Sequence, residues 1–113
     1  MQRLSLCVVI CFFMLSGCSS NSMNKNPIFQ ESNKIMELVD DSQWETADKA
    51  AQVIQKMYKK NKWKYQLLGD ESEYNGLQQE ISKLKISINE KDKPEAKRSI
   101  VIIQEHIQAI YQH

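Results

Sequence analysis

The segment from Leu77 to Ile88, which reads LQQEISKLKISI, is the clearest indication of the fold class of this chain. Its apolar residues Leu77, Ile81, Leu84 and Ile88 follow one another at intervals of four, three and four positions. This spacing brings side chains onto one face of an α-helix, whereas a half-buried strand needs alternation at every second residue. The intervening residues are mostly polar, so the segment predicts a helix with one buried and one solvated face.

Three other segments carry the same spacing, and breaks separate them from this helix. Gly69–Ser72 precedes it, and Asn89–Pro94 follows it with a proline that suits the first turn of a new helix. The chain has three Gly and two Pro, too few for the many tight turns of a β-sandwich or barrel. The sequence therefore predicts an all-α fold, in which short helical hairpins form a three- to four-helix bundle. The other apolar stripes are Ile28, Ile35, Met36, Leu38 and Val39; Ala47, Ala51, Ile54, Tyr58, Tyr65 and Leu68; and Ile100, Ile103, Ile107 and Ile110.

The start of the second helix carries a capping signal. We expect this helix to run from a cap at Asp41 or Ser42 to Leu68. Ser42 and Glu45 have the spacing of a capping box, in which each side chain accepts a hydrogen bond from the backbone N–H of the other residue. Trp44 lies beside this cap, and we expect its indole to pack between the first two helices.

The two halves of the helical region resemble each other at an offset of 49 residues, which places Ala47 on Ala96. Glu45–Tyr58 and Pro94–Ile107 share a polar turn, an alanine, a basic residue, and an aliphatic pair followed by Gln. A small residue near a helix start allows two helices to approach closely, so each half is predicted to be a helical hairpin. Chance similarity between two amphipathic helices is the alternative.

The N-terminal segment has the features of a bacterial lipoprotein signal. Met1–Arg3 is a short basic start, and Leu4–Ser16 is almost wholly apolar. As a helix this run would span roughly 20 Å against roughly 30 Å for a bilayer core, so a secretory signal is favoured over a transmembrane helix. The segment Leu15–Cys18 (LSGC) resembles the lipobox, in which the cysteine is acylated and the chain is cleaved before it. An ordinary secretory signal is the alternative.

This assignment divides the chain into three parts. They are a lipoprotein signal peptide at residues 1–17, a lipidated cysteine with a polar tether at residues 18–27, and a helical domain at residues 28–113. The predicted location is the extracytoplasmic side of the cell membrane, where acylated Cys18 binds membrane lipid. Ser19 stands where an Asp retains lipoproteins at an inner membrane, so export to the outer membrane is allowed in a two-membrane bacterium.

The charge of the chain is nearly balanced, with 15 Lys and Arg, 14 Asp and Glu, and a net charge of +1. A dedicated nucleic-acid binder carries a clear basic excess, so nucleic acid is not expected as a partner. One lysine-rich segment is a candidate contact for anionic lipid or an anionic wall polymer. The sequence favours the alternative of a solvated helix end, because acidic residues near the helix start and lysines in its second half match the helix dipole. The candidate contact residues are Lys56, Lys59, Lys60, Lys62, Trp63 and Lys64.

The aromatic and titratable residues give little sign of chemistry. We expect Trp63 to pack on the third helix, because a buried indole contributes a large apolar area, and a partly exposed partner contact is the alternative. His106 and His113 are seven residues apart, and no residue at a suitable spacing supplies the further ligands that zinc requires. The carboxylates are spread over helix starts and turns. No catalytic residue, metal site or cofactor is therefore predicted, and we do not expect an enzyme.

Three segments of the helical region resemble a known family. They are Asp41–Ala47 (DSQWETA), Trp63 with Leu67 after the lysine-rich helix, and Lys91–Ala96 (KDKPEA) before the final helix. The family consists of small helical bacterial proteins, mostly from Firmicutes, that are exported or membrane-anchored and described as a domain of unknown function. The resemblance covers about residues 30–112 and brings no catalytic residues.

Two functional classes follow from these observations. The favoured class is a membrane-anchored lipoprotein with a helical protein-interaction or envelope-associated role, for which another envelope protein is a candidate partner. The alternative is a small-ligand-binding or enzymatic accessory domain at the cell envelope. The lack of a convergent polar cluster in the sequence favours the first class.

Overall fold

A computed structural model describes residues 26–111, which form four α-helices and contain no strand. The helices are α1 (Pro27–Asp40), α2 (Trp44–Leu68), α3 (Glu71–Asn89) and α4 (Lys93–Tyr111). The prediction of an all-α bundle is confirmed. Within these residues, no helix is both long enough and apolar enough to cross a bilayer.

The four helices form a ring around one core. Each packs against its neighbours in the chain, and α1 also packs against α4, while α2 and α4 barely touch. Each fully buried Ile or Leu contributes roughly 1.5–3 kcal/mol relative to an exposed one, so this core is the main source of stability. The core includes nearly all the predicted stripe residues, namely Ile28, Ile35, Val39, Ala47, Ala51, Ile54, Tyr58, Tyr65, Leu77, Ile81, Leu84, Ile88, Ile100, Ile103, Ile107 and Ile110.

The helical domain begins slightly earlier than predicted. Asn26 is the N-cap of α1, and its side-chain Oδ1 accepts hydrogen bonds from the backbone N–H groups of Ile28 at 2.9 Å and Phe29 at 3.1 Å. Pro27, which was assigned to the tether, is the first residue of the helix. An Asn-Pro pair is a strong start signal, because Asn satisfies free N–H groups and Pro has the helical φ but no N–H to satisfy.

The turn between α1 and α2 differs from the prediction. Ser42 has φ 58°, and the backbone N–H groups of Ser42 and Gln43 donate to the carbonyls of Val39 and Leu38. These two bonds define a Schellman motif, which ends α1 with Ser42 in the left-handed conformation. Gln43 is the N-cap of α2 and makes no side-chain capping bond. The capping box predicted at Ser42 and Glu45 is therefore wrong, because Ser42 terminates the preceding helix.

The predicted repeat is visible in the backbone of the two hairpin turns. Lys91, which lies 49 residues after Ser42, has φ 56°. The hydrogen bonds of the second turn also recur at this offset, so both hairpins close through the same motif. Ala47 and Ala96 occupy equivalent buried positions at the helix starts. The matching bonds are Asp41 to Glu37 and Glu90 to Ile86, Ser42 to Val39 and Lys91 to Ile88, Gln43 to Leu38 and Asp92 to Ser87, and Ala47 to Gln43 and Ala96 to Asp92.

Candidate interaction surface

The second half of α2 extends beyond α1. The two helices form an antiparallel hairpin, and α1 has 14 residues against 25 in α2. The start of α1 therefore lies beside about residue 57 of α2, and roughly 16 Å of α2 continues past it at 1.5 Å per residue. The residues that follow, up to Leu68, include most of the lysine-rich segment.

Tyrosine side chains hold the inner side of this extension. The rings of Tyr58 and Tyr65 stack with centroids 5.8 Å apart, and Tyr65 meets the edge of Tyr111 at 6.4 Å. The Tyr58 hydroxyl donates a hydrogen bond of 3.0 Å to the carbonyl of Tyr74. Burial, with a smaller effect of neighbouring tyrosines, raises the pKa of both Tyr58 and Tyr65. The extension is thus a packed part of the bundle and has a fixed outer side.

The outer side of the extension exposes two large apolar residues. Trp63 is 63% exposed and Leu67 is 78% exposed. Each lies two positions from buried Tyr65, and two positions on a helix correspond to a rotation of roughly 200°. The expectation that Trp63 packs on the third helix is therefore wrong, because the core contact of Tyr65 turns Trp63 outward.

The lysines beside Trp63 project mainly to the same side. Lys56 and Lys60 lie two positions before and after buried Tyr58, so they also face away from the core. Lys59 lines a small hollow between α2 and α3 and therefore lies at the edge of this surface. These three are exposed, and Lys62 is half-buried. The ammonium group of Lys64 lies 5.9 Å from the centre of the Tyr111 ring, at the distance of a cation–π contact. We call Lys56, Lys59, Lys60, Trp63 and Leu67 the α2 outer face.

The positive charge of this face is not neutralised by the described part of the bundle. No acidic residue occurs between Asp48 and Asp70. The ion pairs among residues 26–111 involve Lys34, Lys83, Lys97 and Arg98, none of which belongs to this face. The lysines of the α2 outer face are therefore available to an external anion.

The helix dipole accounts for little of this lysine cluster. Stabilisation of cations by the dipole is confined to about the last turn of a helix. The last turn of α2 contains no basic residue, and Lys64, the final lysine, lies one turn before Leu68. Most of these lysines therefore lie beyond the reach of the dipole, although all except Lys62 are exposed, as a solvated helix end requires.

A second surface feature lies at the opposite end of the bundle. An open hollow of about 630 Å³ lies between the α1–α2 turn and the end of α3, and both left-handed residues, Ser42 and Lys91, line it. Trp44 also lines the hollow; it is half-buried and packs against the core, as expected. Acidic and basic groups are mixed there, with Asp48 and Lys91 on the same rim, so the hollow has no uniform charge.

The histidine in the described region has a packing contact. A Cβ atom placed on Gly76 of α3 would lie 2.5 Å from Cε1 and 2.7 Å from Nε2 of His106 in α4. The imidazole therefore lies directly against the glycine backbone. The sequence indicated His106 only as a possible metal ligand and did not predict this contact, although an isolated Gly in a helix is a signal for close packing. Among residues 26–111, no cluster of three or more His, Cys, Asp or Glu is arranged to hold a metal ion.

Two predicted features lie outside the described residues. These are Cys18, with the signal peptide before it, and His113 at the end of the chain. The structure places Lys56, Lys59, Lys60 and Trp63 on one surface and separates Lys64 from them through its contact with Tyr111.

Comparison with known proteins gives a family match for most of the chain. Residues 19–113 match the family described as a domain of unknown function, DUF4363. The predicted resemblance to a family of unknown function is confirmed, and the match begins closer to the N-terminus than the expected residue 30. No curated protein and no solved structure shows a significant match to the chain. The protein therefore belongs to the DUF4363 family.

Proposed function

We propose that this protein is a lipoprotein that holds a helical interaction module at the extracytoplasmic face of a bacterial membrane. The sequence LSGC at Leu15–Cys18, directly after an apolar run, carries this proposal. The basic start at Met1–Arg3 and the apolar run Leu4–Ser16 before it support the proposal, because together they have the length and composition of a secretory signal.

Acylation of Cys18 gives a durable membrane attachment. Each buried methylene contributes about 0.8 kcal/mol, and two or three acyl chains bind far more stably than one. From Cys18 to Asn26, the N-cap of α1, the chain advances by eight residues, which reach at most about 28 Å when extended. The bundle thus works close to the membrane surface.

The shape of the bundle favours binding at its surface. The more enclosed hollows hold only about 40 Å³, beside Gln55 and Tyr58, and about 60 Å³, beside Glu80 and Ser99. Small-ligand sites usually offer about 300–1,000 Å³ and enclose most of the ligand, whereas the hollow of about 630 Å³ beside Ser42 and Lys91 is wide open to solvent. Exposed Trp63 and Leu67, by contrast, provide apolar area for contact with another surface. An interaction role therefore fits this bundle better than a role in small-ligand chemistry.

The anchor is tested in cells that produce the wild-type protein or the Cys18→Ala variant. The wild type should incorporate labelled palmitate and fractionate with membranes, whereas the variant should remain an unacylated precursor. A Ser19→Asp variant is a control, since it retains the acylated cysteine and should still be labelled. Label in Cys18→Ala, or a wild-type protein found wholly in the soluble fraction, would contradict the proposal.

The interaction role is tested by crosslinking in intact cells, followed by capture of the tagged protein from mildly solubilised envelopes. We expect a specific envelope protein to be recovered with the wild type in amounts well above those from an unrelated lipoprotein of similar abundance. Recovery of the same proteins with both baits would contradict a specific protein-interaction role.

A further inference from the structure

We infer that the α2 outer face is a contact site for the anionic lipid surface of the membrane. This is the surface that the anchored bundle turns toward the bilayer, so the location of the contact in the cell rests on the proposed function. The chemistry of the face can be tested separately, because it depends on Lys56, Lys59, Lys60, Trp63 and Leu67 and not on Cys18.

The apolar part of the face has the composition of an interfacial contact. Trp63 and Leu67 are one helical turn apart and both face away from the core, with 63% and 78% exposure. An indole combines a large apolar area with one N–H donor, which is why Trp is enriched where hydrocarbon meets headgroups. The pair thus offers a shallow apolar wedge to the boundary between headgroups and acyl chains.

The lysines of the face precede this wedge along α2 and lie nearer the middle of the helix. Lys56, Lys59 and Lys60 are exposed, and none forms an ion pair with an acidic side chain of residues 26–111. Long lysine stems keep their ammonium groups at headgroup level while the apolar residues lie deeper. Each lysine close to an anionic bilayer strengthens binding by roughly fivefold, which corresponds to about 1 kcal/mol.

The chain enters the bundle near this face. Asn26 precedes the first turn of α1, which lies beside about residue 57 of α2. Trp63 is six residues farther along α2, a distance of about 9 Å. The stretch from Cys18 to Asn26 reaches up to about 28 Å, so an anchored bundle can place this face on the bilayer without any change in its helices. The anchor also keeps the face at a high effective concentration near lipid.

Charge argues against a second copy of this chain as the occupant. A two-fold contact through the α2 outer face would bring Lys56, Lys59 and Lys60 of both copies together, because such an interface uses the same patch twice. The face has no acidic residue to pair with them. An anionic bilayer has the complementary charge over an extended surface and therefore fits the whole face.

The first experiment uses the mature acylated protein in proteoliposomes that contain lipids brominated on their acyl chains. A Trp44→Phe background leaves Trp63 as the single tryptophan. In vesicles with phosphatidylglycerol, we expect blue-shifted Trp63 emission that the brominated lipid quenches. In phosphatidylcholine vesicles, and at high salt, both effects should be much smaller.

The second experiment measures vesicle partitioning of the unacylated chain from Ser19 to His113 after circular dichroism has established that it is helical. Replacement of Lys56, Lys59 and Lys60 by Gln should weaken partitioning into phosphatidylglycerol vesicles by about 100-fold. The matched control replaces Lys34, Lys83 and Lys91, which removes the same charge elsewhere, and should have a much smaller effect. Trp63→Gln should also weaken binding, whereas Ile86→Gln, at a site 57% exposed on α3, should not.

Several results would overturn the inference. One is that Trp63 emission and its quenching are the same in both kinds of vesicle. Another is that the control lysine variant loses as much partitioning as the variant of Lys56, Lys59 and Lys60. A third is a doubled solution mass that the Trp63→Gln substitution abolishes. Binding to a soluble anionic wall polymer without binding to vesicles would assign the lysines to that polymer instead. If Cys18 carries no acyl chain but the unacylated chain still binds through this face, the anchor fails and the lipid contact stands. If acylation is found but neither experiment detects the face on lipid, the contact fails and the anchor stands.

Discussion

The contact between Gly76 and His106 gives a prediction in which two known effects oppose each other. Gly76 lies inside α3, where replacing Gly by Ala ordinarily stabilises a helix by roughly 0.5–1 kcal/mol. The added Cβ would, however, lie 2.5 Å from Cε1 of His106. An ordinary contact between carbon atoms is about 3.5–4.0 Å, so the imidazole has to move by about 1 Å or leave its position.

The expected outcome follows from the size of each effect. Overpacking in a packed interface costs roughly 1–3 kcal/mol. Gly76→Ala should therefore lower the free energy of unfolding by about 0–2 kcal/mol in the wild-type background, since the helix-propensity gain offsets part of the cost. In a His106→Ala background the obstacle is absent, and the same change should raise stability by about 1 kcal/mol. The two sites should thus be coupled by about 1–3 kcal/mol.

A double-mutant cycle measures this coupling. The four proteins are unfolded in urea and followed by far-ultraviolet circular dichroism, with a constant slope as the check that unfolding remains two-state. Ser82→Ala, at an exposed position on the same helix, serves as the control and should show no coupling to His106. A gain of about 1 kcal/mol from Gly76→Ala in both backgrounds would contradict this prediction, because the imidazole would then not occupy the space beside the glycine.

Three further predictions concern the turns and the tyrosine cluster. Lys91→Gly should raise the free energy of unfolding by about 1 kcal/mol, because φ 56° is unfavourable for a side chain but not for Gly; a lower melting temperature would contradict this. Gly69→Ala should destabilise by about 1–3 kcal/mol, since its Cβ would lie 2.9 Å from Cγ1 of buried Ile110; unchanged urea unfolding would argue against that contact. Burial raises the pKa of Tyr65 above its ordinary value, so the native state favours the neutral phenol. The resulting contribution to the free energy of unfolding should be complete below about pH 10, where the unfolded chain is also neutral, and should be lost as the pH rises further. Tyr65→Phe should weaken this alkaline loss in urea midpoints measured at increasing pH, and an identical pH dependence in both proteins would refute the assignment.

Most of the helical organisation was predictable because it depends on local spacing. Ile81, Leu84 and Ile88 lie on one side of any α-helix whatever packs against them, and each is buried in the observed core. The offset of 49 residues also predicted two similar hairpins, and the turns at Ser42 and Lys91 have the same hydrogen bonds at this offset. These features need only the geometry of a single helix or the comparison of one segment with another.

The candidate surface was only partly predictable. The sequence identified the lysines and Trp63 as a group, but it favoured a packed indole and a solvated helix end. Tyr65 determines the outcome, because its burial fixes the rotation of α2 and turns Trp63 and Leu67 to the outside. The apolar spacing had already assigned Tyr65 to the core, so the error was the expectation that an indole two positions away would reach the third helix.

The fold class and the approximate helix ends could be predicted from the sequence, since each is encoded over a few consecutive residues. Three other features became clear from the packed bundle: Ser42 ends α1 instead of capping α2, the imidazole of His106 packs against Gly76, and α2 extends past α1 with an exposed basic face. The sequence did not predict them, because they depend on how closely two helices approach and on where one helix ends beside another. Those distances are set by packing across the bundle, and segments far apart in the chain contribute to them.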